Sequence, residues 1–430
     1  MPASVPLGLV VVTTLSDDAD VRRRAGWLPR DHDELESWLA GHRERVEAGG
    51  EQVLHRVLAE FQELIDTDPV VRIYVHQMIA QVPRTKPYRK RHLHSVEQML
   101  RLINALLTMA PEFGQNAVLI PLSAILDSAM GTPAGFAAFR DPRINAMLKK
   151  ILTAWCGFLD SADSLYVLND SPSGWKCPAA QRAVGIEQFE HDPEDEHWGF
   201  ASWNDFFTRR FKDGQRPVAS PDDDKVIINA CESTPYRIAT GVQRQDRFWI
   251  KSQPYSLQDM LANDESVDQF VGGTVYQAYL TAIDYHRWHS PVAGTIVRAF
   301  LQQGTYYSEA VSESWDAVAP PISLPYLAHV AVRAIILIEA DDPVIGLVAF
   351  VAVGIAEVSS CVIDTNITPG YHVAKGQELG YFQFGGSTYC LVFRSGAIAG
   401  FTLAAEPQLH DPNAPQILVC AKLAIANTTE

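Results

Sequence analysis

The sequence predicts an α+β protein in which a helical N-terminal domain precedes a β-rich domain. Before about residue 195, apolar residues recur at three- and four-residue spacing, which is typical of helices that pack on one face. After residue 226, short runs rich in Val, Ile and Phe are separated by Gly, Pro, Asn and Asp, as in strands joined by turns. The 430 residues, 47% of them hydrophobic, are enough for two or three domains with large cores.

The helical spacing is clearest in five stretches of the first half, 54–65, 70–79, 96–107, 119–130 and 144–159. Each stretch has an apolar stripe, which indicates core packing rather than a ligand site. The turn-rich, acidic stretches 170–174 and 191–196 indicate connecting segments. We therefore expect a helical domain of residues 1–195 and a β-rich domain of residues 196–430.

The strands of the second half are predicted from six short runs, 226–228, 248–250, 334–338, 347–353, 358–363 and 389–393. The uncharged stretch 343–356 resembles a membrane segment at first sight, but it is shorter than the ~20 residues that a spanning helix needs. Its Val, Ile and Phe content instead predicts a strand that is buried on both faces.

The charge balance argues against polyanionic partners. Lys and Arg number 35 against 51 for Asp and Glu, so the net charge is −16 and the surface repels phosphate backbones and anionic headgroups. The basic segment 84–91 is interpreted as a solvated loop. The apolar segment 5–15 has no basic residues before it and runs into acidic ones, so we do not expect a signal peptide. We expect no nucleic-acid partner, no stable membrane anchor and a cytoplasmic location.

The cysteines are scattered and form no Cys-x-x-Cys pair. This spacing fits neither a zinc site nor a disulfide framework, so we expect no metal and a reducing compartment. The six residues are Cys156, Cys177, Cys231, Cys361, Cys390 and Cys420.

Three segments of the second half carry the residues of a chemical site. Residues 380–388 end in Gly-Gly-Ser-Thr, which taken alone would indicate only a turn. Residues 284–291 contain two histidines, His286 and His289, shortly before a proline. Residues 204–217 combine aromatic and basic side chains. A histidine pair that is followed about a hundred residues later by Gly-Ser-Thr, with these flanking segments, is a specific combination.

This combination resembles the phosphatidylserine decarboxylase family, whose members make a pyruvoyl cofactor by cutting their own backbone. The likeness covers roughly residue 200 to the C-terminus. It implies a phosphatidylserine-decarboxylase-like catalytic domain that is cleaved between Gly386 and Ser387. It also implies that chains 1–386 and 387–430 stay together and that Ser387 becomes the pyruvoyl group.

The chemistry of cutting explains the residues of the motif. Ser387 can attack the carbonyl carbon of Gly386 only where the backbone bends sharply, which Gly385 and Gly386 permit. The peptide then becomes an ester, and elimination cuts the chain. Because serine is a weak nucleophile at its own pKa, a neighbouring base has to take its proton.

The resemblance also assigns roles around Ser387. His289 matches the base, which a carboxylate orients as in a Ser-His-Asp triad. Glu232 stands where the family has an aspartate, which is a departure. His286 is expected to position the substrate carboxylate or to return a proton to Cα.

Structural roles are the competing interpretations. His286 would then only pack or form hydrogen bonds, and Glu232 would be a charge at a strand end. Lys251 and Arg209 are interpreted as surface groups in salt bridges, and Cys390 as a small core residue.

Shorter motifs resemble the fungal aromatic amino acid decarboxylase branch, including L-tryptophan decarboxylase of the psilocybin type. They are 26–28, 68–71, 134–139, 157–159, 230–233, 285–289 and 338–341. This branch implies decarboxylation of an aromatic L-amino acid, with tryptophan giving tryptamine as the first expectation. Two alternatives stay open. One is a phosphatidylserine decarboxylase that makes phosphatidylethanolamine, and the other is an unprocessed relative that only binds ligands or partners.

Overall fold

The structure is a computed structural model, and it describes residues 32–50, 52–82, 92–114, 118–246, 255–309, 320–358, 360–408 and 414–428. Four sequence predictions lie outside these residues, those for the segments 5–15, 84–91 and 248–250 and for Lys251.

The first part of the chain is helical, as predicted. Its helices are α1 (His32–Ala48), α2 (Arg56–Thr67), α3 (Pro69–Ala80), α4 (Val96–Leu106), α5 (Pro121–Met130), α6 (Pro133–Ala138), α7 (Pro142–Leu159), α8 (Pro178–Val184) and α9 (Trp203–Phe207). Local sequence explains several of the starts. In α3 and α7 a proline takes the first helical position, and the side chain of the preceding Asp68 or Asp141 accepts a free backbone N–H.

The second part is dominated by strands. They are β1 (Val226–Ile228), β2 (Thr234–Thr240), β3 (Thr274–Leu280), β4 (Arg287–His289), β5 (Gly294–Gln302), β6 (Arg333–Ala340), β7 (Leu347–Ala356), β8 (Cys361–Ile363), β9 (His372–Val373), β10 (Glu378–Phe382), β11 (Gly386–Phe393), β12 (Ile398–Phe401) and β13 (Lys422–Ala426). Two helices, α10 (Leu257–Met260) and α11 (Pro320–Val330), interrupt them.

The strands form three antiparallel sheets. The largest has seven strands in the order β2-β3-β11-β7-β6-β5-β9, and two sheets of three strands have the orders β4-β10-β8 and β1-β13-β12. Every residue of β7 is buried, which confirms the prediction of a strand covered on both faces. The α+β class is therefore confirmed.

Two hydrophobic cores flank the large sheet. One contains the helices of the first part together with residues such as Val351 and Cys390 of the sheet, and the other lies between the large and small sheets. The predicted boundary at residue 195 stays a prediction, because the first core joins residues on both sides of it. None of the described helices is long and apolar enough to cross a membrane.

Candidate active site

Ser387 lies at the start of β11, in the middle of the large sheet. Its Cα partners are Leu280 of β3 and Gly354 of β7. The residue is completely buried, and its Oγ has no hydrogen-bond partner among the described residues. A serine hydroxyl that is dry and unpaired is free to turn towards a neighbouring carbonyl.

The backbone before Ser387 has the bend that the sequence predicts. Gly385 has a φ of +140°, and a Cβ placed on it would come within 2.2 Å of the Val358 nitrogen and 2.5 Å of the Ala356 oxygen. Only glycine fits this position. The register between β11 and β7 also shifts between Gly386 and Ser387, so the expected scissile peptide lies at an irregularity of the ladder.

His289 ends β4 and is held at both ring nitrogens. Its Nδ1 lies 2.7 Å from the carbonyl oxygen of Gly376, and its Nε2 lies 2.9 Å from the hydroxyl of Tyr285. Since a carbonyl can only accept, Nδ1 carries the proton and Nε2 accepts from Tyr285 in the neutral ring. Burial lowers the pKa of His289, partly offset by the bond to Gly376. The ring is therefore an oriented neutral base.

His286 is the more deeply buried of the two histidines. Its ring stacks on Phe207 of α9 with 3.9 Å between centroids, and neither ring nitrogen has a well-aligned partner among the described residues. Burial, with a contribution from Arg209, lowers the pKa of His286 well below its usual value. Its carbonyl accepts the N–H of Phe382, so His286 lies where β10 leads into the Gly-Gly-Ser-Thr motif.

Glu232 is buried in a bidentate ion pair. Its two oxygens accept from Arg216 at 2.9 and 2.6 Å, and one also accepts the backbone N–H of Val419. Its exposed fraction is 7%, so Glu232 is not a surface charge, although it does lie at a strand end, between β1 and β2. The main-chain bond from His289 N to Ala230 O brings this segment beside the histidine. Within the described residues, however, Glu232 makes no hydrogen bond to His289, and Ser387 makes none to either histidine.

The sequence interpretation of Arg209 as a surface group is wrong. Its guanidinium is buried and donates to the carbonyls of Ile283 and Asp284, directly before the histidine pair. Burial lowers the pKa of Arg209 to about 10. The cation therefore shapes the loop between β3 and β4 from inside the protein.

Asp284 is a buried carboxyl that the sequence analysis did not single out. It accepts from the backbone N–H of Thr281 and from the side chain of Gln416. Burial raises its pKa to about 6, and the nearby charge of Glu232 adds to this rise. Its place directly before Tyr285 and His286 was the signal that could have identified it.

Glu357 is a second missed carboxyl, next to the expected cutting point. Its backbone adopts φ 60°, and its carbonyl carbon would lie 2.4 Å from a Cβ placed on Gly385. One side-chain oxygen accepts the N–H of Ser123 at the start of α5, while the other has no partner among the described residues. Burial raises the pKa of Glu357 well above its usual value. A lone carboxyl after the long apolar run of β7 was the available signal.

The remaining sequence predictions concern cysteines and metals. All six cysteines are buried and form no disulfide, and Cys390 packs in the core as predicted. Among the described residues, no group of three or more His, Cys, Asp or Glu side chains is placed to hold a metal ion.

Together, the unpaired Ser387 hydroxyl and the glycine bend suit a backbone that rearranges at a serine, and His289 is a neutral imidazole of the same domain that could act as the base. Two phosphatidylserine decarboxylase profiles match the chain, one over residues 55–184 and the other over residues 203–409.

Three relatives extend this comparison. Decarboxylase iboD of Amanita muscaria is 41% identical over 298 residues, a match that covers 64% of this chain and 83% of that protein. The L-tryptophan decarboxylase of Psilocybe cubensis is 34% identical over 402 residues, covering 86% of this chain and 88% of that protein. Phosphatidylserine decarboxylase proenzyme 3 of Schizosaccharomyces pombe is 34% identical over 197 residues, covering 45% of this chain and 19% of that protein. The chain thus belongs to the phosphatidylserine decarboxylase family and is a decarboxylase.

Proposed function

We propose that this decarboxylase acts on an aromatic L-amino acid, with L-tryptophan to tryptamine as the first reaction, after it has cut itself between Gly386 and Ser387. One observation carries the choice of substrate. The match to an L-tryptophan decarboxylase covers 86% of the chain and 88% of that protein, whereas the match to a phosphatidylserine decarboxylase covers 45% of the chain and 19% of that protein.

Cutting starts at Ser387. Its Oγ attacks the carbonyl carbon of Gly386, the C–N bond breaks, and the peptide becomes an ester. Elimination then breaks the bond between Cβ and Oγ, leaving a carboxylate on Gly386. Water replaces the nitrogen at the new chain end, and ammonia leaves. We assign the first proton transfer to His289, because the Gly376 carbonyl fixes the tautomer in which Nε2 is basic.

The product of this sequence at Ser387 is a pyruvoyl group, whose carbonyl absorbs the electrons that remain when CO₂ leaves. We assign His286 to the substrate, where it positions the carboxylate or returns a proton to Cα. Neither nitrogen of its buried ring has a well-aligned partner among the described residues, which leaves them available for such a role. We assign Glu232 a supporting role in orienting His289, through the segment around Ala230 whose carbonyl accepts the His289 N–H. Asp284 is a second buried carboxyl close to Glu232, and we assign it the same kind of role.

The two chains of the cut protein are expected to stay together. Residues after Ser387 form β11, which is bonded to β3 on one side and to β7 on the other. Cutting at the first residues of β11 leaves these ladders in place. Cysteines that form no disulfide fit the cytoplasmic location that we propose.

A substrate assay tests the proposal. Processed enzyme is incubated separately with tryptophan, phenylalanine, tyrosine and phosphatidylserine vesicles, and CO₂ and the amine product are measured. We expect turnover of the aromatic amino acids, with tryptophan first. Turnover of the vesicles alone would establish the phospholipid reaction instead. Protein that stays uncut and turns over none of the four would favour the unprocessed binding role.

A further inference from the structure

The expected reaction centre is closed in the uncut chain. Ser387 and His286 both have an exposed fraction of 0%, so an amino acid cannot reach them unless part of the protein moves. Cutting after Gly386 frees one segment in particular, the end of the longer chain. The contacts of that segment therefore indicate which part of the protein can move to admit a substrate.

Phe384 holds this segment in an aromatic pocket. The side chain has an exposed fraction of 2%, and its ring meets three others edge-on. Its centroid lies 5.2 Å from Trp155, 6.0 Å from Trp203 and 5.1 Å from Phe207, with interplanar angles of 87°, 67° and 72°. Edge-to-face contacts at these distances are the preferred packing of aromatic rings. The pocket is thus shaped for an aromatic side chain.

The pocket adjoins the reaction centre. Phe207, which forms one wall, also stacks on His286. Phe384 precedes Ser387 by three residues, so its Cα lies at most ~11 Å away from that of Ser387. A group attached at Ser387 and a ring in this pocket are therefore within the span of one small molecule.

The pocket also contains a polar acceptor. The Oδ1 atom of Asn204 accepts the backbone N–H of Phe384 at 3.3 Å. The amide nitrogen of Asn204 donates to Asp160 at 2.8 Å, which fixes the orientation of the amide. If Phe384 leaves, Oδ1 is left buried and without a donor, which costs free energy until another N–H replaces it. The indole N–H of tryptophan is such a donor, and phenylalanine has none.

The freed end has little to retain it. Apart from its ring, the segment is held by the bond from Phe384 N, by one from Gln383 N to the carbonyl of Ser360, and by the pairing of Gly386 with Ala356 of β7. After cutting, Gly386 carries a new carboxylate beside the segment that contains the buried carboxyl of Glu357. Burying an unpaired carboxylate is costly, so the new end is favoured to move towards water.

We infer that the Phe384 pocket is the subsite for the substrate's aromatic side chain, and that Phe384, which fills it in the uncut chain, can leave it and compete with the substrate for it once the chain is cut. The inference rests on the proposed function. In the processed enzyme, Trp155, Trp203 and Phe207 enclose the substrate ring, and Asn204 pairs with an indole N–H. The subsite thereby favours tryptophan over phenylalanine.

Binding of unreactive acids tests the subsite without turnover. Indole-3-propionate and 3-phenylpropionate lack the amine, and calorimetry measures their Kd values for processed wild type and Phe384→Ala. In the processed wild type, the Phe384 ring at the end of the longer chain competes for the pocket. Replacing it with alanine should therefore lower the Kd for indole-3-propionate about threefold to tenfold. Phe401→Ala, which loses a ring contact with Tyr276 in the other hydrophobic core, is the matched control and should leave Kd unchanged. Unchanged or weaker binding in processed Phe384→Ala contradicts the inference.

Carboxypeptidase digestion of processed wild type tests the inference independently of any variant. It therefore decides the question even if Phe384→Ala is not cut. If the freed end has withdrawn, mass spectrometry will show loss of Gly386, Gly385 and Phe384 from the native longer chain. A longer chain that resists trimming, with or without indole-3-propionate, contradicts the inference. If processed enzyme turns over tryptophan while its longer chain resists trimming, the subsite inference is contradicted and the proposed function is not. Trimming and binding without amino acid turnover contradict only the proposed function.

Discussion

At the scale of single residues, the two histidines differ in what holds them. His289 has both ring nitrogens engaged, by the Gly376 carbonyl and the Tyr285 hydroxyl. The ring of His286 stacks on Phe207 and has no well-aligned hydrogen-bond partner in the part of the chain that the structure describes. An oriented ring suits a base with one defined proton acceptor. A buried imidazole without a well-aligned hydrogen-bond partner is suited to bind a group that arrives later, such as the carboxylate of a substrate. The two residues should therefore fail at different steps.

We expect His289→Ala to remain a single chain, because Ser387 then lacks its base. His286→Ala should be cut but should decarboxylate tryptophan at least about a hundredfold more slowly, the usual lower range for loss of an acid or base. Glu232→Gln should slow cutting, since it weakens the ion pair with Arg216. Gel electrophoresis and CO₂ release measure the two steps. An uncut His286→Ala together with normal cutting of His289→Ala would reverse the assignment.

A third histidine makes stability depend on pH. His329 is buried, and its Nε2 accepts the backbone N–H of Ser256 at 2.9 Å. Burial, together with Arg333, lowers the pKa of His329 from 6.5 to about 4. As the pH falls, the unfolded chain takes up this proton before the folded chain does. The stability from this group is therefore lost between about pH 6.5 and pH 4.

We expect acidification from pH 7.5 to 5 to lower the Tm of uncut Ser387→Ala protein. The same change should lower it less when His329→Gln is added, because about 2 kcal/mol of the loss at pH 5 comes from this histidine. Differential scanning calorimetry of both proteins at both pH values measures the difference. Equal shifts of Tm would show that His329 does not contribute.

At the scale of elements, the link between β10 and β11 depends on Gly385. A Cβ there would lie within 2.5 Å of three backbone atoms in residues 356–358, at and just after the end of β7. The φ of +140° also disfavours any residue other than glycine. Gly396, in the turn after β11, also has a positive φ, but a Cβ placed on it would meet nothing within 4 Å. Comparing alanine substitutions at Gly385 and Gly396 therefore separates the effect of steric crowding from that of a positive φ alone.

Gly385→Ala should abolish cutting and destabilise the protein by roughly 2 kcal/mol or more, as overpacking does in a tight core. Gly396→Ala should be cut normally and should lose less stability, since only its backbone is strained. Intact mass and Tm of the two variants give the comparison. Normal cutting of Gly385→Ala would show that the bend is not required.

Several elements could be predicted from the sequence because their signals are local. The apolar run that became β7 and the stripe of α7 are read from spacing alone. The bend at Gly385 followed from its neighbours. The pairing of Glu232 with Arg216 and the bond between Glu357 and Ser123 could not be predicted, since they join residues 16 and 234 positions apart. Only the folded sheet brings such groups together.

At the scale of the whole molecule, the helical part is built onto the cutting motif. Phe384 packs among Trp155 of α7 and Trp203 and Phe207 of α9, and Glu357 bonds to the start of α5. The helices thus shape the space around the expected reaction centre. This arrangement explains why the substrate class would depend on the whole chain, although the cutting residues lie in the second part.

Every step proposed for this protein depends on self-cutting at Ser387, and intact mass spectrometry of active, purified protein measures that cut. We expect two chains, residues 1–386 and a blocked chain of residues 387–430, and one full-length chain without activity for Ser387→Ala. Active wild-type protein that shows only the full-length mass would contradict this expectation.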